Sequence, residues 1–153
     1  GFIGIGASEC TTEFFFEKNE YYVGETARVI VTCDNSKSKK AIKNFKFRLT
    51  GSFFGQETPG HGRVAGEIEI VERKEPGLPS KHKVERVIEF VIPQTIQGKV
   101  AQMRGQVVPP SVNGKILKFN YVLKAYVKHK AWNAFGRGKR VVLPIKILVP
   151  PPV

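Results

Sequence analysis

Apolar residues in this chain recur at every second position and almost nowhere at the spacing of a helix. Side chains of an extended strand alternate between two faces, so a period of two means strands with one buried face and one wet face. Phe45, Phe47 and Leu49 alternate with Asn44, Lys46 and Arg48. Ala27, Val29, Val31 and Cys33 alternate with Arg28, Ile30 and Thr32. Val64, Ile68 and Ile70 share a face with Gly66, against Glu67 and Glu69. Ile88, Phe90 and Ile92 oppose Val87, Glu89 and Val91. The longest stripe is Leu117, Phe119, Tyr121, Leu123, Ala125 and Val127, opposed by Lys118, Asn120 and Lys124. Val141, Leu143, Ile145, Ile147 and Val149 close the series, with Pro144 marking an edge or a bulge. Thr12–Glu17, which carries Phe14, Phe15 and Phe16, reads as the first strand.

Turn chemistry separates these segments: Val23-Gly24-Glu25, Asp34-Asn35-Ser36, Thr58-Pro59-Gly60, Glu75-Pro76-Gly77, Asn113-Gly114 and Gly136-Arg137-Gly138. Many alternating strands with Gly/Pro punctuation predict an all-β fold, a two-sheet antiparallel immunoglobulin-like β-sandwich of about seven strands. The chain's 153 residues fit one domain. We expect a terminal segment or edge strand over 1–11, the sandwich over 12–149 and a Pro-rich tail over 150–153. The stretch Pro93–Ser111 lacks alternation and reads as a long connection. No apolar run reaches the roughly 20 residues needed to span a bilayer, and Gly1–Gly6 is too short for a secretory leader.

Charge is divided unevenly. Up to Glu89, 14 Lys and Arg face 13 acids; beyond it there are 11 Lys and Arg and no acid. A field of that sign attracts phosphate groups, anionic lipid or an acidic protein. The two cysteines, Cys10 and Cys33, stand alone in a chain without a leader, which points to reduced, buried thiols and a cytosolic compartment.

Catalytic signals are missing from the pattern. His61, His82 and His129 sit in separate segments with no ligand-like spacing, so no metal or other cofactor is expected. No G-x-S-x-G motif is present. Gly1-Phe2-Ile3-Gly4-Ile5-Gly6 departs from G-x-G-x-x-G and is not followed by a helical pattern. The acids between Glu67 and Glu89 alternate along strands and should face solvent, with no acid/base couple among them. We expect no enzyme.

Several segments resemble, in order, the C-terminal domain of the arrestin family. Tyr21-Tyr22-Val23-Gly24-Glu25, the strand Ala27–Cys33, the turn Asp34-Asn35-Ser36 and the strand Ile42–Leu49 are similar to its opening. Val108-Pro109-Pro110-Ser111 resembles its "IPP-S" segment. Asn120-Tyr121-Val122-Leu123-Lys124-Ala125 resembles its "V-x-Y-x-L-K-V" strand, and Val141-Val142-Leu143-Pro144-Ile145 its closing "elPi" strand. Phe53–His61 and Thr95–Gln106 have no counterpart. Within the family the likeness is to the α-arrestin, or arrestin-domain-containing, group; the retromer small subunit shares the fold and stays open. The resemblance implies a protein-binding module of a trafficking or signalling adaptor, cytoplasmic and peripheral to plasma membrane or endosomes. Its partners would be membrane-protein cargo or receptor tails, sorting or ubiquitin-ligase machinery in endocytosis, and an N-terminal arrestin domain of the same protein. Pro150-Pro151-Pro152 contains no P-P-x-Y, so ligase recruitment through that motif does not carry over.

Two basic sets are the candidate sites. Lys37, Lys39, Lys40, Lys43, Lys46 and Arg48 lie within twelve residues with no acid among them. By resemblance this part of the domain touches phosphoinositide head groups, with Lys43 and Lys46 the nearest positional matches. A charged edge that guards against aggregation is the plainer reading. The second set, Lys124, Lys128, Lys130, Arg137, Lys139 and Arg140, flanks Trp132 and Phe135 on a hairpin. Those aromatics can enter a membrane interface or stack on bases, or they can cap the sandwich. Nucleic acid is the rival partner, disfavoured because most aromatics alternate inward.

Overall fold

The computed structural model describes residues 2–7, 10–58, 61–114, 117–129 and 139–148. Among them run ten strands: β1 (Phe2–Ala7), β2 (Cys10–Phe16), β3 (Glu20–Tyr22), β4 (Thr26–Asp34), β5 (Ile42–Thr58), β6 (His61–Leu78), β7 (Lys83–Val91), β8 (Val112–Asn113), β9 (Leu117–His129) and β10 (Lys139–Leu148). One sheet has the order β1-β2-β4-β7; the other has the order β3-β10-β9-β5-β6, with β8 also pairing with β9. The seven expected strands are all present. Beside those seven run β1, within the segment expected to be a terminal stretch or an edge strand, the three-residue β3 and the two-residue β8. All pairs are antiparallel except β3 with β10, which run parallel over Lys146–Leu148. Pro144 pairs with Val122 on one side, and β3 reaches β10 only from Lys146 onward. The proline therefore sits where β10 is still an edge.

Alternation decides what is buried. Phe14 and Phe16 of β2, Val29 and Val31 of β4 and Phe90 of β7 face Phe45, Phe47 and Leu49 of β5 and Leu123 of β9 in one core. Ring contacts join the layers: Phe14 meets Phe47 edge-on at 5.8 Å and Phe47 stacks on Phe90 at 6.0 Å. Each such side chain contributes about 2 kcal/mol through burial.

Two residues expected on the buried face are open: Val64 is 52% and Leu117 49% exposed. Both lie on the long β5–β6 hairpin or opposite it, in the row Val64–Gly55–Leu117. Among the described residues, no strand covers the inward-facing positions here. The connection after β7 holds a short 3-10 turn, Ala101–Met103, and a bridge between Thr95 and Val107. It buries Ile96 and Val108 and receives the Tyr121 hydroxyl on the Pro109 carbonyl.

Candidate functional site

The chain crosses between sheets twice at one end of the sandwich, over 35–41 after β4 and over 79–82 after β6. Asp34 pairs with Lys83 and Ile42 with Leu78, so both crossovers leave from the same level. Asn35 fastens them together. Its backbone N–H donates to His82 O at 2.9 Å, and its Nδ2 donates to Lys40 O at 2.9 Å and Pro79 O at 3.2 Å. Lys81 N–H donates back to the carbonyls of Asn35 and Ser38. These bonds hold Lys81 in the left-handed region, at φ 63°. Asn35 and Ser38 are buried polar residues, and their bonds leave the lysines beside them turned outward.

Lys37, Lys39 and Lys40 are exposed on the first crossover, and Lys43 is exposed where β5 bulges between Ile42 and Asn44. Among the described residues, none of these four has an ion-pair partner. The second crossover adds Lys81 and the first residue of β7 adds Lys83, neither of which the sequence reading singled out. Lys83 lies 4.0 Å from Asp34. Hydrogen bonds from Ser36, reinforced by the charges of Lys83 and Lys37, hold the Asp34 carboxyl below its usual range.

Lys46 and Arg48 share the outer face of β5, as their alternation predicts, but they are not free cations. The Arg48 guanidinium bonds Glu72 through Nε at 3.1 Å and Nη2 at 2.8 Å, and reaches Glu69 at 2.9 Å. This corrects the expectation that the acids of this stretch face solvent. Arg48 is committed to internal partners, and Glu69 and Glu72, at 16% and 15% side-chain exposure, do not face open solvent. The Lys46 ammonium lies 4.7 Å from the Tyr126 ring centre. Burial lowers its pKa, with Arg48 and Lys74 adding to the effect.

Among the described residues, register brings Lys128 and Arg140 of the second basic set beside the first. On the outer face of the larger sheet, Arg140 lies opposite Tyr126, Tyr126 opposite Lys46, and Lys46 opposite Lys74. Lys128 pairs with Asn44, one step nearer the crossovers. Lys74 is a further residue the sequence reading missed. Its signal lies in strand pairing rather than in local sequence. Lys130, Trp132, Phe135 and Arg137 lie outside the described residues, as do the side chain of Lys139 and the tail over 150–153.

Cys10 and Cys33 are free and buried, and the Thr12 hydroxyl donates to Cys33 Sγ at 3.2 Å. Of the histidines, only the His82 ring is described; it is exposed, with Nδ1 2.8 Å from Ser80 O. Among the described residues, no three His, Cys, Asp or Glu side chains gather as a metal site would need. What this end of the molecule offers is positive charge on a rigid frame, suited to an anionic surface.

The model of the arrestin (or S-antigen) C-terminal domain matches residues 9–152. Among solved structures, Spo0M, a sporulation control protein from Bacillus subtilis, superposes with a TM-score of 0.62 at 13% identity. The match covers 92% of this chain and 50% of Spo0M, so the chain spans half the length of that protein. At that identity the likeness is one of fold. No curated protein sequence matches the chain.

Proposed function

The chain belongs to the arrestin C-terminal domain family, and from that premise we propose that it is a non-enzymatic binding module of an arrestin-like adaptor. It links membrane cargo or receptor tails to sorting or ubiquitination machinery, and it rests on the cytoplasmic leaflet through its basic end. One observation carries the membrane part. Lys37, Lys39, Lys40 and Lys43 meet Lys81 and Lys83 at the joined crossovers, with Lys128 beside them. Each lysine near an anionic leaflet contributes about 1 kcal/mol. A cluster of this size gives reversible attachment that fades as salt screens it.

Flotation with vesicles of neutral lipid, with and without a phosphoinositide, tests this reading. The informative variant is Lys40→Glu/Lys43→Glu/Lys81→Glu, because all three side chains are exposed; Lys46 is half-buried against Tyr126 and would confound the result. Wild type should float with phosphoinositide vesicles, and the variant should stay at the bottom. Equal flotation of both removes the basic end from the mechanism. Salt-dependent binding to RNA or DNA without flotation would replace lipid with nucleic acid.

A further inference from the structure

β6 ends the larger sheet and β7 ends the smaller one, so two sheet edges face each other on one side of the sandwich. A cavity of about 250 Å³ opens between them. Its floor is Phe47, Leu49 and Leu123, each no more than 1% exposed, and Val71 and Phe90 are among its walls. The hollow is a partly open cleft whose base reaches the core and whose rim carries Glu72, Arg73 and Gln97. An apolar group seated on that base gains contacts with Phe47, Leu49 and Leu123.

The β6 edge in front of this cavity is open for a short, defined length. At one end, Gln97 N–H donates to Ile70 O at 2.7 Å. At the other, the Arg86 guanidinium bonds the carbonyls of Pro76 and Gly77 and lies 5.6 Å from the Phe45 ring centre. Backbone groups of alternate strand residues point the same way. The Pro76 carbonyl points outward to Arg86, and the β5–β6 register runs without a shift from Pro76 to Val71, so Glu72 and Lys74 point outward too. Among the described residues, no strand lies beyond β6 on the side away from β5 to pair with the N–H and C=O groups of Glu72 and Lys74.

We propose that this window binds an extended peptide from a partner protein. The peptide adds a short strand to β6 at Glu72 and Lys74 and places one large apolar side chain in the cavity. The chain already treats this edge as a strand acceptor. Its own segment 97–99 lies along β6, with Gln97 on Ile70 and Lys99 N–H on the Glu69 carboxylate at 3.3 Å. It leaves the edge where the open window begins, and the peptide continues the same line. A free apolar molecule would fill the hollow but leave four backbone groups unpaired, so the edge selects a peptide. Charge at the rim sets its flanks. Arg73 lines the cavity, its side chain is 50% exposed, and Glu75 holds it only at 3.5 Å. Lys74 lies exposed next to it. The fitting peptide carries carboxylates beside its anchor.

The proposal rests on the reading of this domain as a protein-binding module but not on the basic end. A failed flotation leaves it standing, and its own failure leaves the lipid reading standing. Amide and methyl NMR of the 153-residue chain, titrated with acetyl-Thr-Glu-X-Glu-Thr-amide where X is Leu, Phe or Gly, tests it. The Leu and Phe peptides should shift the amides of Glu72, Arg73 and Lys74 and the methyls of Leu49, Val71 and Leu123; the Gly peptide should not. Lys74→Pro removes one outward N–H and leaves the ladder to β5 intact, so it should weaken binding roughly tenfold or more. Should that variant fail to fold, Val71→Trp fills the mouth from the edge and should abolish the shifts. Binding that survives the substitution, shifts that gather elsewhere, or no saturation by any peptide below about 1 mM overturns the proposal.

Discussion

Asn35 Nδ2 lies 3.2 Å from the carbonyl oxygen of Pro79, so a single side-chain amide joins the two crossovers that carry the basic end. The same nitrogen bonds Lys40 O at 2.9 Å, and Asn35 is fully buried. Asn35→Ala removes the donor from Pro79 O and leaves Lys40 O to the Ser38 hydroxyl alone. We expect a fall of roughly 1 kcal/mol in unfolding free energy by urea titration. Vesicle binding should weaken as well, since Lys40 and Lys81 lose their common anchor. A variant with wild-type stability would show that the amide does not hold the crossovers.

Arg48 holds two carboxylates on the outer face of the larger sheet. Burial alone would raise the Glu72 pKa. The hydrogen bond from Arg48 and the charges of Lys46, Arg48 and Lys99 overcome it and leave the group below its usual value. A depressed carboxyl pKa contributes stability above the unfolded value, about 4.3, and loses it as pH falls through the folded value. Wild type should therefore lose thermal stability on acidification below about pH 4.3. Arg48→Met should cost roughly 2 kcal/mol at neutral pH and flatten that acid limb. A parallel acid profile in the variant would remove the pair from the account.

Much of the fold is written in period two. Phe45, Phe47 and Leu49 can be assigned inward because a strand has only two faces. The same rule fails at Val64 and Leu117: alternation names a face but not how far the opposite sheet extends over it. The site was harder to read. Arg48 looks unpartnered in sequence because Glu72 lies 24 positions away and meets it only through the β5–β6 register. Lys81 and Lys83 join the basic end because Asn35 bonds across to their loop, a contact no local pattern encodes. β3 is three residues long and pairs with β10 at the far end of the chain, so it has no periodicity of its own to detect.

Burial pushes the Cys33 thiol up to about 12, against the opposing hydrogen bond from Thr12, with Cys10 beside it adding to the rise. The folded state therefore keeps the proton well past the unfolded value of about 8.5. That contribution is fully present below about pH 8.5 and is lost as pH rises toward the folded value. Stability should decline on the alkaline side, and Cys33→Ala should shrink the decline. At pH 8 a thiol reagent should leave Cys33 untouched in the folded protein and label it promptly in urea. Fast labelling of the native chain would contradict its burial.

Gly98 sits so close to β6 that a Cβ on it would lie 2.0 Å from the Glu69 carbonyl oxygen. The obstacle is backbone, so no rotamer change relieves it. Gly98→Ala must lift the segment 97–99 from the strand edge. It would break the bond from Gln97 to Ile70 and disturb the one from Arg104 Nε to Gly98 O. The cost should be about 1–3 kcal/mol, the range for a forced backbone shift in a packed site. Amide exchange locates the effect. The Gln97 amide should lose protection, while amides of the β5–β6 ladder at Phe47 and Arg73 should keep theirs. The Ile70 carbonyl would then join Glu72 and Lys74 on the open edge, lengthening the window available to an added strand. An alanine variant with the Gln97 amide still protected would mean that the connection can shift along β6 without leaving it.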